Sequence, residues 1–215
     1  MTTQTNAQAT KKANISEAIL TLYKQTHSFN LIAGNTIDPE RIKPQSNLVL
    51  EEAKEMVLAA LTRDSVEFTD GCIDSLVVCS NLILLLEGNT ALLEDAPKYL
   101  NHNKLSLNEL IGNATTELLD ENWIDLLGTM EDICYEMEGD TLYNIDQVWK
   151  SNLSKFPLVS DVKSPDDVAD AITDEGRYTG VDYHTSKNIE GEDVYVFTAT
   201  YDNKEKKAFS SPLRS

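Results

Sequence analysis

The sequence predicts an all-α fold, a helical bundle that ends in a small C-terminal β-hairpin. Apolar residues recur at helical spacing through most of the first 157 residues. Residues 193–209 instead alternate apolar and polar side chains around Asp202 and Asn203, as a hairpin does. We therefore expect three segments in the chain: a leader at residues 1–13, an all-α core at residues 14–157 and an extension at residues 158–215.

The leader is polar and lacks the apolar stretch of a secretory signal, which predicts a disordered segment on a cytoplasmic protein. Asn14 is followed three positions later by Glu17, the pattern of a helix start, and a first helix should run to about Phe29. A loop is expected next, because the following segment contains three helix breakers: Gly34, Pro39 and Pro44.

Two helices should follow this loop. The second helix is expected at about residues 46–61, where apolar residues line one face. The third is expected at residues 65–87 and contains the run LVVCSNLILLL, so it should be the most buried element. Gly88 and Asn89 end it.

Three further helices complete the predicted core. Ser106 and Glu109 form a capping-box pattern that opens a short helix. A longer helix should run from about Glu121 to Glu138 and stop at Gly139. Asp140 then caps a last core helix that ends before Pro157, and residues 164–176 predict one or two further helical turns.

The charge and composition of the chain limit the classes of partner it can have. The chain has 18 basic and 36 acidic residues, a net charge of −18, which argues against nucleic acid as a partner. A polyphosphate ligand would be repelled as well, unless divalent cations stood between it and the carboxylates. The longest apolar stretch is too short for a membrane span. Cys72, Cys79 and Cys134 lie among apolar residues and predict buried thiols rather than disulfides.

The acidic residues of two consecutive helices form the candidate site. Glu52 and Glu55 share a helix face, with Glu51 beside them, and Asp70 and Asp74 repeat the arrangement on the next helix. Oxygen ligands of this kind suit Mg²⁺ or Mn²⁺. The alternative is that these carboxylates belong to solvated faces. Burying the aspartates on so apolar a helix without cations would be costly, which favours a metal.

A family resemblance strengthens this interpretation. The segments EEAKE (51–55) and DGCIDSLVVCSN (70–81) resemble the EExxE and ExxD signature of the all-α pyrophosphohydrolases of the MazG and dimeric dUTPase type. The Asp-x-x-x-Asp spacing and the segment VWKSNLSK (148–155) are more specifically similar to phage and bacterial proteins described as phosphoribosyl-ATP pyrophosphohydrolase-like. Residues 88–130 are then an insertion in the family pattern.

The resemblance implies a MazG-like bundle that cleaves a nucleoside triphosphate to a monophosphate and pyrophosphate with Mg²⁺. It implies a catalytic set of Glu51, Glu52, Glu55 and Asp74, and metal ligands Glu52, Glu55, Asp70 and Asp74. The sequence departs from the pattern at Gly71, where ExxD would have Glu, so either Asp70 or Glu67 must supply the fourth ligand.

The resemblance also implies how substrate is held. Asn81 would face the base or sugar, while basic and amide side chains after it would hold phosphate oxygens: Lys150, Asn152 and Lys155. The alternatives are a polar residue satisfied between helices and solvated charges at a helix end. Relatives complete their pocket with a neighbouring subunit, so a homodimer or homotetramer is expected, in a bacterial or phage-infected cytoplasm.

Two rival functions remain open from the sequence. The first is a helical module that binds or sequesters a nucleotide without hydrolysing it, which would fit the glutamate missing at Gly71. The second is an interaction protein whose acidic helices only face solvent. Such a protein would show neither Mg²⁺-dependent stabilisation nor nucleotide binding.

Overall fold

The computed structural model describes residues 2–33, 37–88, 105–137, 140–174, 179–188, 190–201 and 205–208. The chain divides into two compact units. The first comprises Met1–His27 with Ile37–Val148, and the second comprises Ser28–Thr36 with Trp149–Ser215. The first unit holds the acidic helices, and the second holds the sheet and the segment after Val148.

The described chain is mostly helical and carries a small antiparallel sheet, as the sequence predicts. The helices are α1 (Thr2–Ile32), α2 (Ile42–Thr62), α3 (Ser65–Glu87), α4 (Leu107–Leu119), α5 (Trp123–Glu136), α6 (Thr141–Leu153) and α7 (Pro165–Asp174), with a 3₁₀ turn at Pro39–Arg41. The strands are β1 (Thr179–Lys187), β2 (Asp193–Tyr201) and β3 (Glu205–Ala208).

The prediction of a disordered leader at residues 1–13 is wrong, because α1 begins at Thr2. The segment contains alanine, glutamine and lysine, which favour helix, and neither glycine nor proline interrupts it. The amine of Lys11 donates to the carbonyl of Tyr135 at 3.4 Å. A polar segment thus extends an amphipathic helix whose apolar side is buried at Ile15, Ile19 and Leu22.

The start of α2 also differs from the prediction, since the helix begins at Ile42 rather than near Ser46. Pro44 does not prevent this, because it lies in the first turn, where a backbone N–H has no intrahelical partner to lose. Pro39 opens the 3₁₀ turn, and the carboxylate of Asp38 accepts a hydrogen bond from the Glu40 N–H at 2.9 Å. The predicted Gly34 loop position lies outside the described residues.

The third helix has the predicted bounds and is the core of the first unit. Asp64 caps its start, and Gly88 ends it with a left-handed φ of 67°. Among the described residues, α3 is the one helix with the length and hydropathy of a membrane span, yet most of that window is buried inside the unit. Its apolar composition is therefore that of a central helix packed between α2 and α5.

The region predicted as an insertion, residues 88–130, contributes helices to this core. The predicted capping box is present at α4: the Ser106 hydroxyl accepts from the Glu109 N–H, and the Glu109 carboxylate accepts from the Ser106 N–H. In α5, Leu126, Leu127 and Met130 are buried. Asp140 caps α6 as predicted, accepting from the Tyr143 N–H at 3.1 Å.

The second unit contains a three-stranded antiparallel sheet in the order β1-β2-β3, where the sequence predicted only a hairpin. β2 and β3 form the predicted pair, and β1 is the strand that the prediction missed. Helix α7 covers one part of the sheet through Ala169 and Ile172 against Phe197. A second cluster packs Ile32, Ala33 and Phe156 against β2 residues Val194 and Val196.

Candidate metal and nucleotide site

The acidic residues lie on a tight helical hairpin. Helix α2 ends at Thr62, and its C-cap residue Arg63 adopts a left-handed φ of 61°. Asp64 follows at once and caps α3, accepting hydrogen bonds from the N–H groups of Val66 and Glu67 at 3.2 Å each. Only two residues therefore join the helices, so α2 and α3 run antiparallel and in contact.

The two helices approach each other closely at Gly71. A β-carbon built on Gly71 would lie 3.0 Å from the backbone nitrogen of Met56, 3.1 Å from its Cα and 3.2 Å from its Cβ. Backbone atoms cannot yield as a side-chain tip can. The position where the family pattern has glutamate therefore faces the neighbouring helix directly, and a side chain there would require the backbone at Met56 to shift by a few tenths of an ångström.

The Gly71–Met56 contact fixes the register of the acidic pairs. In an antiparallel pair, Asp74 then lies level with Ala53, between Glu52 and Glu55 along α2. Successive residues of a helix are rotated by about 100° around its axis. Glu52 and Glu55 therefore lie on the same side of the plane that contains the two helix axes. Asp70 and Asp74 turn to that same side from α3. The four predicted metal ligands thus share one side of the hairpin.

These carboxylates are accessible to solvent. Glu52, Asp70 and Asp74 are half-buried, while Glu51 and Glu55 are exposed. Glu51 is rotated furthest from α3 on the α2 surface. Within the described part of the chain, no three histidine, cysteine, aspartate or glutamate side chains form a group that could hold a metal ion. The inference that the four carboxylates lie on one side of the hairpin rests on the backbone register. That their side chains converge on an ion stays a prediction.

Two acidic residues compete for the place of the glutamate missing at Gly71. Asp70 is four residues from Asp74, about 6 Å along the axis, whereas Glu67 is seven residues away, about 10 Å. Glu67 is exposed near the hairpin turn, and Asp70 is half-buried. The geometry therefore favours Asp70 as the fourth carboxylate.

Asn81 continues the same side of α3. It lies two helical turns after Asp74 and is half-buried. Nearby, the side-chain amide of Gln45, in the first turn of α2, donates to the carbonyl of Val78 at 2.8 Å. This bond ties the start of α2 to the second half of α3. An amide at Asn81 is accordingly held on a rigid helix pair beside the acidic residues.

The predicted phosphate-binding residues lie in the second unit. The amine of Lys155 donates to the Asn152 Oδ1 at 2.6 Å and lies 6.0 Å from the ring centroid of Phe29. Asn152 is 8% exposed, so its side chain is a fixed support for Lys155. Lys150 is exposed. Lys155 and Asn152 thus form a local pair, and their meeting with the carboxylates of the first unit stays a prediction.

Glu131 is a buried acid that the sequence prediction missed. It is 1% exposed on α5, and its Oε1 accepts a hydrogen bond of 2.6 Å from the Tyr23 hydroxyl. Its Oε2 is buried with no partner among the described residues. Glu131 lies four residues after Leu127 and three before Cys134, both buried, so the apolar periodicity of α5 was the signal that could have found it.

The surroundings of Glu131 shift several pKa values in the same direction. Burial raises the pKa of the Glu131 carboxyl to about 8, against a smaller lowering by the Tyr23 hydrogen bond. Burial, and then the nearby Glu131 carboxyl, raise the pKa values of Tyr23 and Cys79. The interior between α1, α3 and α5 therefore favours neutral groups, and Glu131 is protonated at neutral pH.

The three cysteines are free and buried, as the sequence predicts. The Cys72 and Cys134 sulfurs lie 3.5 Å apart, and the Cys79 thiol lies 3.3 Å from the carbonyl oxygen of Trp123. These contacts lie where α3 packs against α5. Thiols are weakly polar and are compatible with such burial.

Comparison of the chain with protein-family profiles, with curated proteins and with solved structures gave no match.

Proposed function

We propose that the protein is a Mg²⁺-dependent nucleoside triphosphate pyrophosphohydrolase that converts a (deoxy)nucleoside triphosphate and water into the monophosphate and pyrophosphate. The observation that carries this proposal is the contact of Gly71 with Met56. It gives α2 and α3 a register in which Glu52, Glu55, Asp70 and Asp74 face one side. The resemblance of EEAKE and DGCID to the MazG-type signature agrees with that arrangement.

The donor set fits the proposed cation. It consists of carboxylate oxygens on helices held at a fixed separation, and Mg²⁺ prefers such oxygens while it retains several waters. When bound, Mg²⁺ would screen the phosphate charges and lower the pKa of the attacking water. Glu52, Glu55, Asp70 and Asp74 would hold the ion. Glu51, which is exposed beside them, would accept the proton of that water.

Substrate would be oriented by the amide and basic residues that the family resemblance implies. Asn81 presents an amide for hydrogen bonds to the base or sugar, on the same side of α3 as Asp74. Lys155, braced by Asn152, supplies positive charge for the phosphate oxygens, with Lys150 as a second amine. A chain with a net charge of −18 holds a triphosphate only if cations and such amines offset the repulsion.

The proposal extends to the setting of the enzyme. We propose a MazG-like bundle that acts as a homodimer or homotetramer, since relatives of that type close the pocket with a neighbouring subunit. Exposed apolar side chains on α2, among them Leu58 and Leu61, suit such an interface. A cytoplasmic nucleotide pool, bacterial or phage-directed, is the proposed source of substrate.

The test is pyrophosphate release from a panel of ribo- and deoxyribonucleoside triphosphates with Mg²⁺ or Mn²⁺. Wild type should release equimolar pyrophosphate and monophosphate, and ethylenediaminetetraacetate should abolish the activity. Glu52→Gln and Asp74→Asn should each reduce turnover at least about a hundredfold, because they remove a charged ligand without changing side-chain size.

A matched control separates ligand loss from misfolding. Glu87→Gln removes the same charge from the far end of α3, where the side chain is exposed, and should leave turnover unchanged. Circular dichroism and thermal unfolding should be alike for all variants. Absence of pyrophosphate from every nucleotide, with folded protein and either metal, would reject the enzyme proposal.

A second candidate is a module that binds a nucleotide without hydrolysing it. The observation that favours it is the packing at Gly71, which crowds the β-carbon that the glutamate of the ExxD pattern would need. Equilibrium dialysis with the same nucleotides distinguishes the two. Saturable, Mg²⁺-dependent binding that is lost in Asp74→Asn, without pyrophosphate release, supports the module.

A further inference from the structure

Two buried thiols face each other across the contact of α3 and α5. The sulfurs of Cys72 and Cys134 are 3.5 Å apart and belong to residues 62 positions apart in the chain. Both side chains are fully buried, and both cysteines are free. Cys79 is buried as well, but its sulfur contacts the Trp123 carbonyl oxygen rather than another thiol.

We propose that Cys72 and Cys134 are an oxidation site that forms a disulfide between α3 and α5 on reaction with a hydroperoxide. One thiolate attacks the peroxide, the O–O bond breaks, and a sulfenic acid and water form with hydrogen peroxide. The second sulfur then attacks the first, the S–S bond forms, the S–O bond breaks, and a second water leaves. The two thiols lose two electrons and two protons, and the peroxide becomes two waters.

The geometry allows this bond with a small movement. A disulfide has an S–S distance of about 2.05 Å, so the sulfurs must approach by about 1.5 Å. Rotation about the side-chain torsions and a slight shift of the two packed helices would have to supply that distance. The Cys79 sulfur instead contacts the carbonyl oxygen of Trp123 at 3.3 Å, so it is not expected to pair in this way.

The same burial makes the reaction slow. The hydrogen bond with Cys72, and burial, raise the pKa of the Cys134 thiol, so little thiolate forms at neutral pH. Peroxide reaches the sulfurs only when the α3–α5 contact opens. The rate should therefore rise tenfold or more between neutral pH and pH 9 and in mild denaturant.

The bond would act on the helix that carries the proposed metal ligands. Cys72 lies between Asp70 and Asp74 in the sequence, on the side of α3 that faces α5. A disulfide there would tie the first half of α3 to α5 and close a long loop of the chain. The oxidation site stands on the thiol geometry alone and does not depend on the hydrolase proposal.

The experiment uses the reduced full-length protein treated with hydrogen peroxide under native conditions with a metal chelator. Catalase stops the reaction, and free thiols are then alkylated in denaturant. Intact mass spectrometry should show loss of two hydrogens and one alkylated thiol. Peptide mapping without reductant should link the peptides of Cys72 and Cys134, and dithiothreitol should reverse the link.

Three variants and one condition complete the design. Cys79→Ala should oxidise like wild type, whereas Cys72→Ala and Cys134→Ala should lose the two-hydrogen change. The same treatment in concentrated urea should give mixed pairings, because the fold no longer selects partners. The oxidised protein should unfold at a midpoint several degrees higher, and reductant should remove that gain.

The peptide map of wild type decides the proposal even if an alanine variant fails to fold. Three alkylated thiols after prolonged native oxidation would overturn it. A bond that includes Cys79, or a link between two chains, would overturn it as well.

Discussion

Gly71 packs against the backbone of Met56 so closely that a β-carbon at residue 71 would lie 3.0 Å from the Met56 nitrogen. Gly71→Ala should therefore destabilise the protein by a net ~1 kcal/mol. The added methyl group overpacks the contact and costs about 1–3 kcal/mol, while the higher helix propensity of alanine stabilises the helix by about 1 kcal/mol. Gly71→Glu, which restores the family pattern, should destabilise further and should not raise activity. Urea unfolding followed by circular dichroism measures both.

Gly112 provides the control for this prediction. It lies in the interior of α4 and is exposed, and a β-carbon added there would meet no atom within 4 Å. Gly112→Ala should stabilise the protein by about 0.5–1 kcal/mol, because only the helix propensity changes. Equal effects at the two glycines would contradict the close contact of α2 and α3.

Glu131 should make stability depend on pH. Its folded pKa of about 8 lies above its ordinary value of 4.5, so the folded state holds a proton that the unfolded state releases between these values. The stabilisation is complete below pH 4.5 and is lost as the pH rises to about 8, by up to roughly 5 kcal/mol. Denaturant titrations of wild type from pH 5 to pH 9 measure the slope.

Two variants test the assignment of that slope to Glu131. Glu131→Gln cannot ionise and keeps a carbonyl for the Tyr23 hydroxyl, so its stability should fall less with pH than that of wild type. Tyr23→Phe removes the hydrogen bond that favours the ionised carboxylate, so the loss of stability should extend to higher pH. A slope unchanged in Glu131→Gln would assign the effect to another group.

Local signals in the sequence were sufficient for much of the fold. The capping box at Ser106 and Glu109, and the glycine at the end of α3, act within one helical turn, so a short window of sequence contains the whole interaction. β1 was missed for the opposite reason. Its register depends on pairing with β2, and its strand has few apolar residues besides Val181 and Tyr183.

The candidate site also has a part that local sequence determines and a part that depends on long-range contacts. Helical spacing was enough to group Glu52 with Glu55 and Asp70 with Asp74, because residues three or four apart share a face. The side on which the two pairs meet depends on the register of α2 and α3, which the Gly71 contact sets across the hairpin. The periodicity of α5 indicates a buried position at Glu131, but its hydrogen-bond partner Tyr23 lies 108 positions away and could not be identified from local sequence.

The fourth carboxylate of the site can be identified by mutation, given a measurable activity. Asp70→Asn should lower kcat/KM roughly 10–100-fold and raise the Mg²⁺ concentration for half-maximal activity, since a charged contact is worth about 1.5–3 kcal/mol. Glu67→Gln, farther from Asp74 and exposed, should change both values less than about twofold. Steady-state rates over a Mg²⁺ titration measure them. The reverse ranking would make Glu67 the ligand.

Lys155 should contribute to binding of the triphosphate through its charge. Lys155→Met keeps the length and apolar contact of the side chain beside Phe29 but removes the amine that Asn152 holds at 2.6 Å. It should raise KM roughly tenfold or more with a smaller change in kcat, because the amine contacts phosphate before and during the reaction. Lys163→Met removes the same charge from an exposed position of the second unit and should leave KM within about twofold. Equal increases in KM for the two variants would mean that net charge, rather than the Lys155–Asn152 pair, governs binding of the anionic substrate.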